Sequence, residues 1–229
     1  MSKNSLDNID AKLSEMLTNS TRVFDISMNA LLGDTNLDSV RDDLYDTDKA
    51  INELHREVRR EMIIHSAVNS RNLDIPLLLS YMTMSKDIER IGDYCKNLFE
   101  IAETGNTFAK GDELDSYIEL RNDIGKLIVY LQSCIALDDE SKVQDLITLG
   151  SSISSDIDTR ITALLENKEK VQYPVATTLF FRYLKRIVSH IVNAATALIM
   201  PTDQIDYFCL LYTSPSPRDI SGSRMPSSA

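Results

Sequence analysis

Residues 84–102 read MSKDIERIGDYCKNLFEIA, and their apolar side chains recur at alternating intervals of four and three residues. The series consists of Met84, Ile88, Ile91, Cys95, Leu98 and Ala102. This spacing predicts an α-helix of about five turns with one apolar stripe. The same stretch contains two features that oppose a helix, namely carboxylates four residues apart at Glu89 and Asp93, and an interior glycine at Gly92. We expect a neighbouring helix or a ligand to offset their cost.

Helical spacing extends over nearly all of the first 200 residues. Apolar residues at this period predict six helices, which run from Leu6 to Leu31, Leu37 to Met62, Pro76 to Ala102, Leu114 to Ile135, Val143 to Leu164, and onward from Pro174. The segment ETGNTFAKGDE at 103–113, with two glycines, is the clearest internal boundary. We predict an all-α fold of two tandem antiparallel three-helix bundles, at residues 1–104 and 112–208.

The two halves also share residues. ERIGDYCKN at 89–97 aligns with KRIVSHIVN at 185–193, an offset of 96 that keeps the Arg-Ile pair and the final Asn. A duplicated bundle would produce this pattern.

The last 21 residues, CLLYTSPSPRDISGSRMPSSA at 209–229, differ from the rest. They hold three of the six prolines and six serines, and no helical period continues through them. They resemble a translated sequencing-adapter read-through. We therefore expect a non-native or disordered tail, and a natural chain that continues differently after Phe208.

The overall charge restricts the classes of partner. A formal net charge of -11 opposes binding to nucleic acid and to an anionic membrane surface. The first 16 residues contain no apolar leader segment, and no window reaches eighteen apolar residues. Three cysteines without CxxC spacing suggest neither a disulfide framework nor a zinc site. We expect a soluble, cytoplasmic protein.

Three segments resemble the PhoU family of phosphate-uptake regulators. They are DTDKAINEL at 46–54, DIERIGDYCKNLFEIAE at 87–103 and RYLKRIVSHIVNAATALIMPTDQIDYF at 182–208. The resemblance covers residues 1–208. It implies a cytoplasmic, non-enzymatic adaptor that restrains phosphate uptake and phosphate-starvation signalling by docking on a phosphate ABC transporter ATPase and a sensor histidine kinase. Such a protein is peripheral to the membrane only through its partners, and a homodimer is a further expectation.

An alternative within the same family is an accessory protein of a sodium-phosphate cotransporter. The sequence does not distinguish the two kinds of transporter partner.

The resemblance also implies metal binding, because E(D)xxxD motifs on neighbouring helices of the family bind metal ions. The positions of this chain that match are Asp48, Asn52, Glu89 and Asp93. On a helical wheel each pair lies at the flank of its apolar stripe, where the second and third helices can meet. The sequence thus predicts one site for Fe, Zn, Mn or Mg in the N-terminal unit, with His55 on the same stripe of the second helix.

The second unit lacks these ligands. Its corresponding positions are Lys185 and Ser189 on the sixth helix, and Ser154 and Asp158 on the fifth. A cation site cannot be built around a lysine, so only the first unit is expected to bind metal.

The flanking charges also permit a simpler interpretation. Lys86 precedes Glu89 by three residues and Lys96 follows Asp93 by three, which is the spacing of ion pairs on a solvated helix face. A metal-free interaction module of the same shape is therefore kept as the alternative to a metal-binding adaptor.

Enzyme chemistry is not indicated. A carboxylate-bridged metal enzyme in a helical bundle needs Glu-x-x-His motifs, and none occurs, nor does GxSxG, a P-loop or HExxH. His65 lies on an apolar stripe and is expected in the core. His190 lies on a polar stripe of the sixth helix, which is expected to face solvent. No catalytic residue is predicted.

Overall fold

The computed structural model describes residues 2–33, 35–71, 73–111, 113–137, 139–166, 168 and 171–200. These residues form six α-helices and no strand, which confirms the predicted fold class. The helices are α1 (Ser2–Leu32), α2 (Leu37–Val68), α3 (Ile75–Glu103), α4 (Leu114–Leu137), α5 (Glu140–Leu165) and α6 (Pro174–Ile199). The domain limits at 104, 112 and 208 stay predictions, and the predicted tail at 209–229 lies outside the described residues, as does Phe208.

Three helices begin at a polar side chain that accepts a hydrogen bond from a backbone N–H of the first turn. Asn36 accepts from the N–H of Asp38, and Asp74 accepts from that of Leu77. Asp139 does the same at the start of α5. Each cap satisfies a donor that has no partner within its own helix, so these residues set where the helices start.

The two three-helix units pack against each other. Within the first unit α2 contacts α1 and α3, and within the second α5 contacts α4 and α6. Across the units α1 contacts α4 and α3 contacts α6. The buried apolar residues of both units form one continuous core, and α6 supplies eleven of them. The first and second units are therefore stabilised together, since each covers apolar surface of the other.

Helices α5 and α6 approach closely at Gly150. A Cβ atom at this position would lie 2.5 Å from Cγ2 of Val192, a contact that side chains do not tolerate. Val192 is buried and its β-branched side chain has little freedom to move. A glycine is required here by the spacing of the helices.

The offset of 96 seen in the sequence relates α3 to α6 in space. It maps the last residue of α3, Glu103, onto the last residue of α6, Ile199. It also maps Asp87 onto Tyr183 and Tyr94 onto His190. These four side chains lie together where the antiparallel helices α3 and α6 cross. The contact between the units thus has an approximate two-fold arrangement.

None of the described helices is both long and apolar enough to cross a membrane.

Candidate functional site

The polar flanks of α2 and α3 meet, as predicted, but a lysine lies between their carboxylates. Nζ of Lys96 is 3.1 Å from Oδ2 of Asp48 on α2 and 3.4 Å from Oδ1 of Asp93 on its own helix. Asp48 is buried, so its charge requires a close partner. The ammonium group supplies that partner from within the chain.

The lysine stays charged because of these contacts. Burial lowers the pKa of Lys96, but hydrogen bonds and Coulombic attraction to Asp48, followed by those to Asp93, outweigh it, and the pKa is raised overall. A protonated ammonium group between two carboxylates is the electrostatic equivalent of a bound monovalent cation.

Glu89 lies near Asp48 and Asp93, and it contacts Arg90 of its own helix. Nε of Arg90 is 3.6 Å from Oε2 of Glu89, and its Nη1 is 3.1 Å from Oδ2 of Asp93. Burial, and then the neighbouring charge of Asp93, raise the pKa of Glu89 above its usual range. The carboxylates of α3 therefore repel each other, and Arg90 offsets part of that repulsion.

Gly92 explains how α2 comes so near. A Cβ atom here would lie 3.0 Å from Cδ1 of Ile51 and 3.8 Å from Oδ1 of Asp48. The absence of a side chain allows α2 to pack against α3 at this level, and this packing offsets the cost of a glycine inside a helix. The contact between Asp48 of α2 and the polar residues of α3 thus depends on Gly92, which lies between Glu89 and Asp93 in the sequence.

Three of the four predicted metal ligands already have hydrogen-bond partners within the chain. The side-chain amide of Asn52 donates to the backbone carbonyl of Asp48 within α2, and the carboxylates of Asp48 and Asp93 share Lys96. Among the described residues no three His, Cys, Asp or Glu side chains are grouped to hold a metal. Metal binding at Asp48, Asn52, Glu89 and Asp93 stays a prediction.

The second unit also pairs a lysine with an aspartate, although Lys185 corresponds by the offset of 96 to Glu89 and not to Lys96. Nζ of Lys185 on α6 forms an ion pair with Asp158 on α5. In both units, therefore, a lysine of the third helix pairs with an aspartate of the second helix.

His55, on the stripe of α2 predicted to border the site, is buried, and its Nε2 has no hydrogen-bond partner among the described residues. Burial, and then the positive charges of Arg59, Arg90 and Arg56, lower the pKa of His55 from 6.5 to about 4. The ring is consequently neutral at physiological pH.

The expectation that His190 faces solvent is wrong. Nδ1–H of His190 donates to Oδ1 of Asp87 at 2.7 Å, and Asp87 is buried. The imidazole ring also stacks on Tyr94, with 5.6 Å between ring centroids, and Tyr94 in turn lies 6.0 Å from Tyr183. His190 is partly covered because α3 packs against this part of α6, whereas Arg182 and Arg186 stay exposed.

Sequence reasoning missed the pairing of Asp87 with His190, although the spacing contained a signal. Asp87 lies three residues after Met84 and four before Ile91, which are both buried. A charged residue at such a position faces a neighbouring helix, and it needs a partner there.

A groove of about 540 Å³ lies between the end of α3 and the start of α6. Its lining is largely apolar and includes Ile101, Pro174 and Leu179, with Glu100 as a carboxylate. Among the described lining residues the ionisable side chains are Glu100, Tyr173 and Tyr183.

Comparisons with known proteins agree with this architecture. Residues 13–102 match the sequence model of the PhoU domain. The crystal structure of PhoU from Pseudomonas aeruginosa superposes with a TM-score of 0.73 at 18% identity, covering 87% of this chain and 97% of that one.

The phosphate transport system regulatory protein PhoU from Streptococcus pneumoniae gives a TM-score of 0.70 at 14% identity, covering 87% of this chain and 95% of that one. At these identities the structural similarity establishes the fold. No curated protein matches the chain.

Proposed function

We propose that the protein regulates phosphate transport, because residues 13–102 match the PhoU domain, the family that the sequence resembles. The family match in the first unit is the observation that carries this proposal. The fold of both units is similar to that of the phosphate transport system regulatory protein PhoU from Streptococcus pneumoniae.

The proposed mechanism is docking without catalysis, in the cytoplasm. Two packed three-helix units present long, rigid helical faces, and a partner that binds such a face in only one of its conformations shifts toward that conformation. The proposed partners are the ATPase of a phosphate ABC transporter and a sensor histidine kinase. The alternative partner is a sodium-phosphate cotransporter.

Phosphate uptake in two hosts tests this function. The chain is expressed in a bacterium that lacks its own PhoU protein and takes up phosphate through an ABC transporter, and in a second strain that relies on a sodium-phosphate cotransporter. We expect labelled phosphate uptake and a starvation reporter to fall in the first host. A fall in the second host alone would favour the alternative, and no change in either would overturn the proposal.

Lys96 provides the test of the predicted metal site. We expect Lys96→Met to raise the affinity for Mn²⁺, Zn²⁺, Fe²⁺ or Mg²⁺ by about tenfold, because removal of the ammonium group frees Asp48 and Asp93 to bind a cation. Isothermal titration of protein first stripped of metal measures the affinity. Metal should also raise the melting temperature of the variant more than that of the wild type.

Lys86→Met is the matched control, since this lysine lies on the exposed face of α3 and should not change metal affinity. Adding Glu89→Gln and Asp93→Asn to Lys96→Met should abolish the increase in metal affinity. The metal prediction fails when neither the wild type nor the Lys96 variant binds metal more tightly than this triple variant.

A further inference from the structure

One end of the first unit exposes an apolar patch. The residues are Ile63, Ile64 and Val68 at the end of α2, and Ile75, Leu79 and Met82 at the start of α3, each between 43 and 74% exposed. The end of α2 lies beside the start of α3 because these helices are antiparallel neighbours, as the ion pair of Arg41 with Glu103 near their opposite ends shows. We use the name α2–α3 tip for these six apolar residues together with the neighbouring basic residues Arg56, Arg59, Arg60, Arg71 and Lys86. A cluster of exposed apolar side chains marks an interaction surface.

Basic residues surround this patch in a chain whose net charge is -11. Residues 56–86 contain three acidic side chains and five basic ones, which are Arg56, Arg59, Arg60, Arg71 and Lys86. All five are exposed, and within the part of the chain that the structure describes none of them forms an ion pair.

The acidic residues of this segment are already engaged. Glu57 and Glu61 pair with Lys12 of α1, and Asp74 caps α3. Arg60 is attracted to Glu57 and Arg59 to Glu89, but with five basic and three acidic side chains this segment presents an excess of positive charge to an incoming partner.

The order of the two residue types along the helices is specific. Arg59 precedes Ile63 by four residues and Arg60 precedes Ile64 by four, so each pair shares one exposed face of α2. On α3, Lys86 follows Met82 by one turn. On α2 and α3 the exposed apolar side chains thus lie about one turn nearer the tip than Arg59, Arg60 and Lys86, whereas Arg71 lies in the connection between the two helices.

From this arrangement we propose that the α2–α3 tip docks on an anionic lipid surface. Apolar side chains enter the boundary between headgroups and acyl chains, while the arginines bind lipid phosphate groups one turn above it. A second copy of the chain fits this surface less well, because a symmetric contact would place like charges opposite each other.

The overall negative charge does not prevent this docking. Helices of this length extend for about 45 Å, whereas electrostatic interactions in physiological salt are screened over about 8 Å. Acidic residues toward the other end of the molecule therefore contribute little to the potential at the α2–α3 tip. This inference does not depend on the proposed role in phosphate transport.

Vesicle flotation with the purified full chain tests the proposal. We expect the protein to float with phosphatidylcholine vesicles that contain phosphatidylglycerol, and not with pure phosphatidylcholine vesicles, and to be released by high salt. Arg59→Gln with Arg60→Gln should lower the partition coefficient by about 25-fold. Ile63→Ser with Ile64→Ser should lower it by about tenfold or more.

Two double variants serve as matched controls. Leu165→Ser with Val175→Ser changes apolar side chains that are 70 and 75% exposed away from the tip, and Arg182→Gln with Arg186→Gln removes exposed charges of α6. Both should bind vesicles as the wild type does, and circular dichroism should show all variants folded. The proposal is overturned when the wild type ignores anionic vesicles, when controls and tip variants lose binding equally, or when only an acidic protein binds the tip.

Discussion

Replacing His190 by alanine is expected to destabilise the protein by about 3 kcal/mol, because it leaves the buried carboxylate of Asp87 without its hydrogen-bond donor. The variant also loses the ring that stacks on Tyr94 between the two units. Urea denaturation at neutral pH, followed by circular dichroism, measures the loss.

Two companion variants separate the hydrogen bond from the packing. His190→Gln keeps a donor and should recover part of the lost stability. Adding Asp87→Ala to His190→Ala removes the unpaired charge. The double variant should therefore lose less free energy of unfolding than the sum of the losses in the two single variants. Additive losses in this double-mutant cycle would show that Asp87 and His190 do not depend on each other.

Acidification is expected to destabilise the protein through His55. The unfolded chain binds a proton at His55 below pH 6.5, whereas the folded chain does so only near pH 4. Between these values the unfolded state binds more protons, so stability falls as the pH decreases, by about 3 kcal/mol in total. Above pH 6.5 the ring is neutral in both states and this contribution to the pH dependence disappears.

The variant His55→Leu should remove this part of the pH dependence. Its stability relative to the wild type should increase as the pH falls from 6.5 to 4, since leucine takes no proton and leaves no buried nitrogen without a partner. Val58→Ala, one turn along α2, is the control and should lower stability by a similar amount at every pH. Parallel pH profiles for His55→Leu and the wild type would contradict the assignment.

Much of the fold could be predicted from the sequence, because helical spacing and caps are local. The alternation of three and four between Met84 and Ala102 predicts α3, and the structure extends it from Ile75 to Glu103. Pro76 and Pro174 were correctly placed in the first turns of α3 and α6. The candidate site was only partly predictable, since the pattern placed Asp48 and Asp93 on flanks that meet and paired Lys96 with Asp93, but did not pair Lys96 with Asp48.

By itself, the sequence determined the six helices, since helical spacing and caps depend on residues close together in the chain, and it indicated the resemblance to the PhoU domain that residues 13–102 match. Only the tertiary structure decided that Lys96 pairs with Asp48 and that His190 pairs with Asp87. The physical reason is that a helix offers several polar side chains on each flank, and which of them is desolvated depends on the rotation and depth at which its neighbours pack.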